Sequence, residues 1–187
     1  DENGGRTRGR LQKLDLSNTN ILAGSDYYLI DKGNKLTIKA DNTLPDKLFY
    51  GCSMEEISFP SAGIHNFGKG VWAYCNKLSH VSLTPAADAN FKVDGNMIYN
   101  TDKTTLLAVT PLVREDINIP DGVKTIDDYA LAGCSMVRKI AIGNDVKNIG
   151  REAFGYCWSM EELKVRPKDI PQLGTDVFAA ANTQTCK

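Results

Sequence analysis

The chain has 187 residues, 42% of them apolar and 24% charged, with a formal net charge of -1. That size and balance describe one domain or a stack of small units, and the near-zero charge supplies neither a basic field for nucleic acid nor a disordered acidic tail. No apolar stretch approaches the roughly 18–20 residues that a membrane-spanning helix requires.

Residues 1–10 are polar and rich in Gly and Arg, and read as a flexible N-terminal tail. Residues 11–47 join a repeat strand, Leu11-x-x-Leu14-x-Leu16, to a hairpin over Tyr27 to Lys39 that turns at Lys32-Gly33-Asn34. Residues 48–89 carry two repeats, one through Phe49, Cys52, Ile57 and Phe59, the next through Trp72, Cys75, Leu78, Val81 and Leu83. Over 90–111, alternating residues around Asp94-Gly95 and Asn100-Thr101-Asp102-Lys103 predict a three-stranded meander that replaces part of one coil. Repeats resume over 112–187 and stop at Thr185-Cys186-Lys187. With no initial Met and no closing strand, we expect a truncated chain whose open C-terminal edge favours end-to-end association.

One period runs through these units. Cys52 and Cys75, Cys134 and Cys157, Ile126 and Ile149, Phe49 and Trp72, and Leu131 and Phe154 each lie 23 residues apart; Phe154 and Phe178 lie 24 apart. Each unit ends in apolar-x-x-apolar-x-apolar, and the alternation of its last residues is the period of a half-buried strand. The segment ending at the cysteine is long enough for about one helical turn, and Val-x-x-Ile ahead of it is a second extended stretch. One such coil cannot bury its apolar side alone, but stacked coils share a continuous core.

Two units in full are Val123-Lys-Thr-Ile126-Asp-Asp-Tyr-Ala130-Leu131-Ala-Gly-Cys134-Ser-Met-Val137-Arg-Lys-Ile140-Ala-Ile142 and Val146-Lys-Asn-Ile149-Gly-Arg-Glu-Ala153-Phe154-Gly-Tyr-Cys157-Trp-Ser-Met160-Glu-Glu-Leu163-Lys-Val165. This pattern resembles the BspA-type leucine-rich repeat family, found in surface proteins of gut and oral Bacteroidetes and in some parasitic protists. The resemblance covers about residues 11–187, with Trp72 and Leu131 standing where the family has Phe. It implies a leucine-rich-repeat solenoid, β-dominated with short helical turns, about 23 residues per repeat and hairpin or meander insertions. It also implies a location at the cell surface or outside the cell.

The cysteines Cys52, Cys75, Cys134 and Cys157 are expected to form a column of small core side chains, each one coil above the last. A disulfide between stacked neighbours is the alternative. Phe49, Trp72, Leu131, Phe154, Phe178, Ile126 and Ile149 join them in the expected core. There is no CxxC pair and only two histidines, so neither a zinc site nor another cofactor is expected.

On the solvent side of the strands the pattern places Lys13 and Asp15, Glu56 and Ser58, His80 and Ser82, Lys139 and Ala141, and Glu162 and Lys164. A leucine-rich repeat usually holds its partner there, so Glu56, Ser58, His80, Ser82, Lys139, Glu162 and Lys164 are the candidate ligand-binding residues. Aromatic anchors, which usually dominate hot spots, are absent from that face. Tyr27, Tyr28, Tyr50, Tyr74, Tyr156 and Trp158 fall in loops or short turns instead, with Tyr74 and Tyr156 at equivalent positions, either as a stripe for a sugar face or as cover for the core edge. No nucleophile motif, phosphate loop or metal motif occurs, so no catalytic residue is assigned. The expected function is a non-catalytic adhesion module for a host matrix protein, a cell-surface protein or a glycan. A structural spacer rod is the alternative, and a hydrolase a remote one.

Overall fold

The 23-residue step of the sequence is a register between parallel strands. The computed structural model describes residues 11–181; the tail at 1–10, Cys186 and the chain end lie outside them. The strands begin with β1 (Lys13–Asp15), the hairpin of β2 (Tyr27–Asp31) and β3 (Asn34–Thr37), and then β4 (Thr43–Leu44), β5 (Glu56–Ser58), β6 (Asn66–Phe67) and β7 (His80–Ser82). A meander follows: β8 (Phe91–Asp94), β9 (Met97–Asn100) and β10 (Thr105–Val109). The coils then resume with β11 (Ile117–Ile119), β12 (Thr125–Ile126), β13 (Lys139–Ile142), β14 (Asn148–Ile149), β15 (Glu162–Val165) and β16 (Gln172–Leu173).

Each coil contributes a longer strand to one wall and a shorter strand to another. The longer strands pair in parallel as β1-β5-β7 and, separately, as β11-β13-β15. Ile57 lies opposite Val81, and Ile140 opposite Leu163, so apolar residues meet apolar residues one coil apart. The shorter strands β12, β14 and β16 extend the meander into a six-stranded sheet, with β10 antiparallel to β9 and parallel to β12.

The third side of each coil is a turn edge. The expected short helical turns are not there: among the described residues there is no helix, and therefore none long and apolar enough to cross a membrane. The hydrogen bonds give the reason. The N–H groups of Ala130, Ala132 and Cys134 close tight turns onto Asp127, Tyr129 and Leu131. The N–H groups between them, on Tyr129, Leu131 and Gly133, donate instead to Arg151, Ala153 and Gly155 of the next coil at 2.8–2.9 Å. A helix would turn every N–H back along its own axis. Here alternate ones run along the solenoid.

Left-handed backbone makes this alternation geometrically feasible. Five coils each have two such residues four apart: Lys47 and Gly51, Gly70 and Tyr74, Tyr129 and Gly133, Glu152 and Tyr156, Asp176 and Ala180. For a non-glycine residue this backbone costs about 1–2 kcal/mol, the same order as the net gain of about 0.5–1.5 kcal/mol from each hydrogen bond that it enables. Close coil stacking also explains Gly150, where a Cβ would sit 2.4 Å from the Asp128 nitrogen.

The core lies in two halves with the meander between them. Phe91, Ile98 and Ala108 point into the first half, while Tyr99, Leu106 and Val109 point into the second. β9 and β10 are thus covered on both faces, while β8 is exposed beyond Phe91. Trp72, Leu131, Phe154, Ile126, Ile149, Cys75, Cys134 and Cys157 are buried. Phe49, Cys52 and Phe178, expected in the core, are only partly buried. Phe49 and Cys52 belong to the coil next to the hairpin, and no described coil lies beyond Phe178, so each has cover on fewer sides.

Trp72 has a specific role at the junction. Its Nε1–H donates to the Val109 carbonyl at 3.0 Å inside the core. We expect Trp72→Phe, although it restores the aromatic of Phe49 and Phe154, to lower stability by about 1–3 kcal/mol through the unpaired carbonyl. Phe154→Ala should lower it by about 3–5 kcal/mol. Urea unfolding checks both, and a neutral Trp72→Phe would contradict this role for the indole.

Candidate functional site

The strand-face residues do not form one surface. Glu56, Ser58, His80 and Ser82 lie on β5 and β7, in register as Glu56 with His80 and Ser58 with Ser82. Lys139, Glu162 and Lys164 lie on β13 and β15. β7 and β11 belong to different sheets, so the meander divides the face in two. Charges on it are paired between coils: Lys13 with Glu56 at 2.8 Å, Lys139 with Glu162 at 3.8 Å, and, just outside the strands, Arg138 with Glu161 at 2.7 Å. The Arg138 guanidinium holds the Glu161 carboxyl below its usual range.

The turn edge gathers what the strand face lacks. Tyr50, Tyr74 and Tyr156 come from three coils, with Tyr50–Tyr74 ring centroids 5.0 Å apart and Tyr74–Tyr156 centroids 4.8 Å apart, both edge to face. Trp158 continues the row at 5.4 Å from Tyr156. Tyr129 lies beneath, 6.1 Å from Tyr50 and 6.4 Å from Tyr74. It is 7% exposed, whereas Tyr50, Tyr156 and Trp158 are 37%, 40% and 50% exposed. The rings form a floor and a rim.

A charged network braces this ladder. Lys47 pairs with Asp31 of the hairpin at 2.7 Å and places its ammonium 5.1 Å from the Tyr129 ring centroid. Arg151 lies 5.8 Å from the same centroid and pairs with Glu152 Oε1 at 2.8 Å. The Tyr74 hydroxyl donates to Glu152 Oε2. Burial pushes the Tyr50 phenol up to about 12, and burial followed by the bond to Glu152 pushes the Tyr74 phenol up as well. Both therefore stay neutral at ordinary pH. Between these groups opens a cleft of about 610 Å³ lined by Tyr50, Tyr74, Glu152, Tyr156, Trp158 and Asp176, among others.

Sequence reasoning singled out Tyr50, Tyr74, Tyr156 and Trp158 but missed Tyr129, which stands five residues before Cys134 at a left-handed position. Tyr27 and Tyr28 lie on the hairpin away from the ladder, and the Tyr28 hydroxyl donates to the Asp46 carbonyl. Of the histidines, His80 is on β7, and His65 contacts Asp88 at 2.6 Å in the open. Among the described residues no cluster of His, Cys, Asp and Glu is placed to hold a metal ion.

The four cysteines within the described residues are free thiols. Each of two reaches back to the preceding coil: Cys75 Sγ donates to the Phe49 carbonyl at 2.7 Å, and Cys157 Sγ to the Leu131 carbonyl at 3.4 Å. Cysteine thus serves as a small apolar residue with a weak donor. Cys52 differs. The neighbouring Cys75 thiol lowers it to about 7 against the effect of burial, whereas Cys75 is raised by the same contact and by burial. Burial raises Cys134, and raises Cys157 to about 12.

Comparison with known proteins agrees with the geometry. A family model described as "BspA type Leucine rich repeat region" matches in six copies over residues 11–111 and 112–187. Among solved structures, the chain resembles a leucine-rich cell surface protein from Faecalibacterium prausnitzii A2-165. The TM-score is 0.64 at 19% identity, over 90% of this chain and 45% of that one. A leucine-rich repeat protein from Eubacterium ventriosum matches with a TM-score of 0.49 at 20% identity, over 66% of this chain and 40% of that one. The chain spans less than half the length of either. No curated protein matches it.

The thiol order is testable in a Cys186→Ser background, which removes the cysteine outside the described residues. Ellman's reagent should titrate one thiol, Cys52, in the folded chain, with a rate that rises as pH passes about 7. Several thiols reacting as fast as in urea would contradict this assignment.

Proposed function

We propose, from the premise that the chain belongs to the BspA-type leucine-rich repeat family, that it is a non-catalytic binding or adhesion module. It is displayed at a cell surface or secreted, and it engages a host matrix protein, a cell-surface protein or a glycan. One observation carries this reading: the aromatic ladder of Tyr50, Tyr74, Tyr156 and Trp158, gathered from three coils along one edge beside a cleft. Clustered exposed aromatics mark interaction sites in proteins that otherwise hide such area.

The contact is assigned first to this turn edge. The strand-face set of Glu56, Ser58, His80, Ser82, Lys139, Glu162 and Lys164 is secondary, because Glu56, Lys139 and Glu162 already form ion pairs between coils and exposed pairs of this kind contribute little. The surface location is inferred from the cell surface protein of Faecalibacterium prausnitzii whose fold this chain resembles. A stiff spacer is the second reading, favoured by the interlocking of each coil with the next through alternate backbone amides.

Retention of purified chain on panels of matrix proteins, cell-surface proteins and glycans tests these readings. The Tyr156→Ala/Trp158→Ala variant should lose retention. A strand-face variant carrying Glu56→Lys, Lys139→Glu, Glu162→Lys and Lys164→Glu should keep it. The opposite pattern would move the site to the strands, and retention of neither variant nor parent would favour the spacer.

A further inference from the structure

We infer that the turn-edge cleft binds an uncharged oligosaccharide of pyranose units laid along the aromatic ladder. This rests on the binding-module reading and names its ligand class.

Three features of the cleft converge on that chemistry. A pyranose has an apolar C–H face and a rim of hydroxyls, so it needs aromatic faces with polar groups beside them. The ladder offers Tyr50, Tyr156 and Trp158, each about two-fifths to one-half exposed. Asn76, Ser53 and Asp176 stand among the cleft's lining as hydrogen-bonding partners.

Charge narrows the class. The lining contains Glu152 and Asp176 and no lysine or arginine. A sulfated, sialylated or uronic saccharide would meet these two carboxylates, while Arg151, outside the lining, is already paired with Glu152. A cationic ligand gains little from Glu152, because its two oxygens are already engaged by Arg151 and the Tyr74 hydroxyl. An uncharged ligand fits both conditions.

Repetition completes the case. The three tyrosines of the rim come from three coils and recur at 4.8–5.0 Å between centroids, with Trp158 following at 5.4 Å. Rings at this spacing offer several aromatic contacts along one line, which suits an extended ligand of several units. The braced network of Asp31, Lys47, Arg151 and Glu152 fixes the row before any ligand arrives, which reduces the ordering loss on binding.

The test uses the chain as it stands and both of its tryptophans. Trp72 is buried, so a ligand-dependent change in emission reports Trp158. The probes are cellohexaose, maltohexaose, mannohexaose, xylohexaose, galactan oligomers and chitohexaose as neutral saccharides, with heparin fragments and oligogalacturonate as anions and choline as a cation. At least one neutral saccharide should shift the emission saturably, with calorimetry giving the affinity. Tyr156→Ala and Trp158→Ala should each weaken that binding by about tenfold or more, with circular dichroism unchanged because both side chains are surface-exposed. Lys92→Glu, exposed on β8 and outside the cleft lining, should leave it as it was.

Preferential binding of the anionic saccharides or of choline overturns the inference. So does silence of every neutral probe. If that silence is accompanied by loss of matrix-protein retention in Trp158→Ala, the binding-module reading stands and only the glycan falls. If Trp158→Ala changes neither retention nor saccharide binding, the assignment of the contact to the turn edge and the glycan inference both fall.

Discussion

The structure depends on hydrogen bonds that run along the solenoid from alternate amides of the turn edge. Tyr129, Leu131 and Gly133 donate to Arg151, Ala153 and Gly155, and Glu152, Phe154 and Tyr156 repeat this onto Thr175, Val177 and Ala179. Such bonds hold one coil at a fixed height above the next. That height goes with two left-handed residues per coil and excludes a Cβ at Gly150. It also sets the distance at which side chains of successive coils meet.

The aromatic ladder is a consequence of that constraint. Tyr74 and Tyr156 occupy the second left-handed position of their coils, and Tyr129 the first. The same backbone that directs amides along the axis leaves these rings at the edge, where equivalent positions from stacked coils come into contact. The interior needs no polar groups to define it: among the described residues no polar or charged side chain is buried. Specificity of stacking lies in the backbone ladder and in asparagine and aspartate contacts one step apart, such as the Arg151 N–H on Asp128 Oδ1 and the Asn144 N–H on Asp121 Oδ1. The meander keeps the two core halves continuous by sending alternate side chains into each.

Side-chain periodicity made the repeat and its family legible, because the recurrence of cysteines and large apolar residues is itself a sequence property. The turn edge was not legible as what it is. Alanine and an aromatic before a cysteine satisfy a helical turn as well as a left-handed one, and only Gly51, Gly70 and Gly133 hint at the positive φ values. The division of the strand face was hidden for another reason. Residues on either side of the meander follow the same pattern, but pairing between β7 and β11 is lost in three dimensions. The partial exposure of Phe49, Cys52 and Phe178 depends on the position of their coils in the stack, which a repeat motif does not encode. Tyr129 escaped notice because its partners are contributed by coils far away in the chain.

The most direct test of the account is hydrogen–deuterium exchange of the chain, free and with a retained ligand bound. If the turn edge is the contact surface, binding slows exchange over residues 50–53, 74–76 and 152–158 and leaves residues 56–58, 80–82, 139–142 and 162–165 unchanged. Protection confined to those strands, with none along the turn edge, would contradict it.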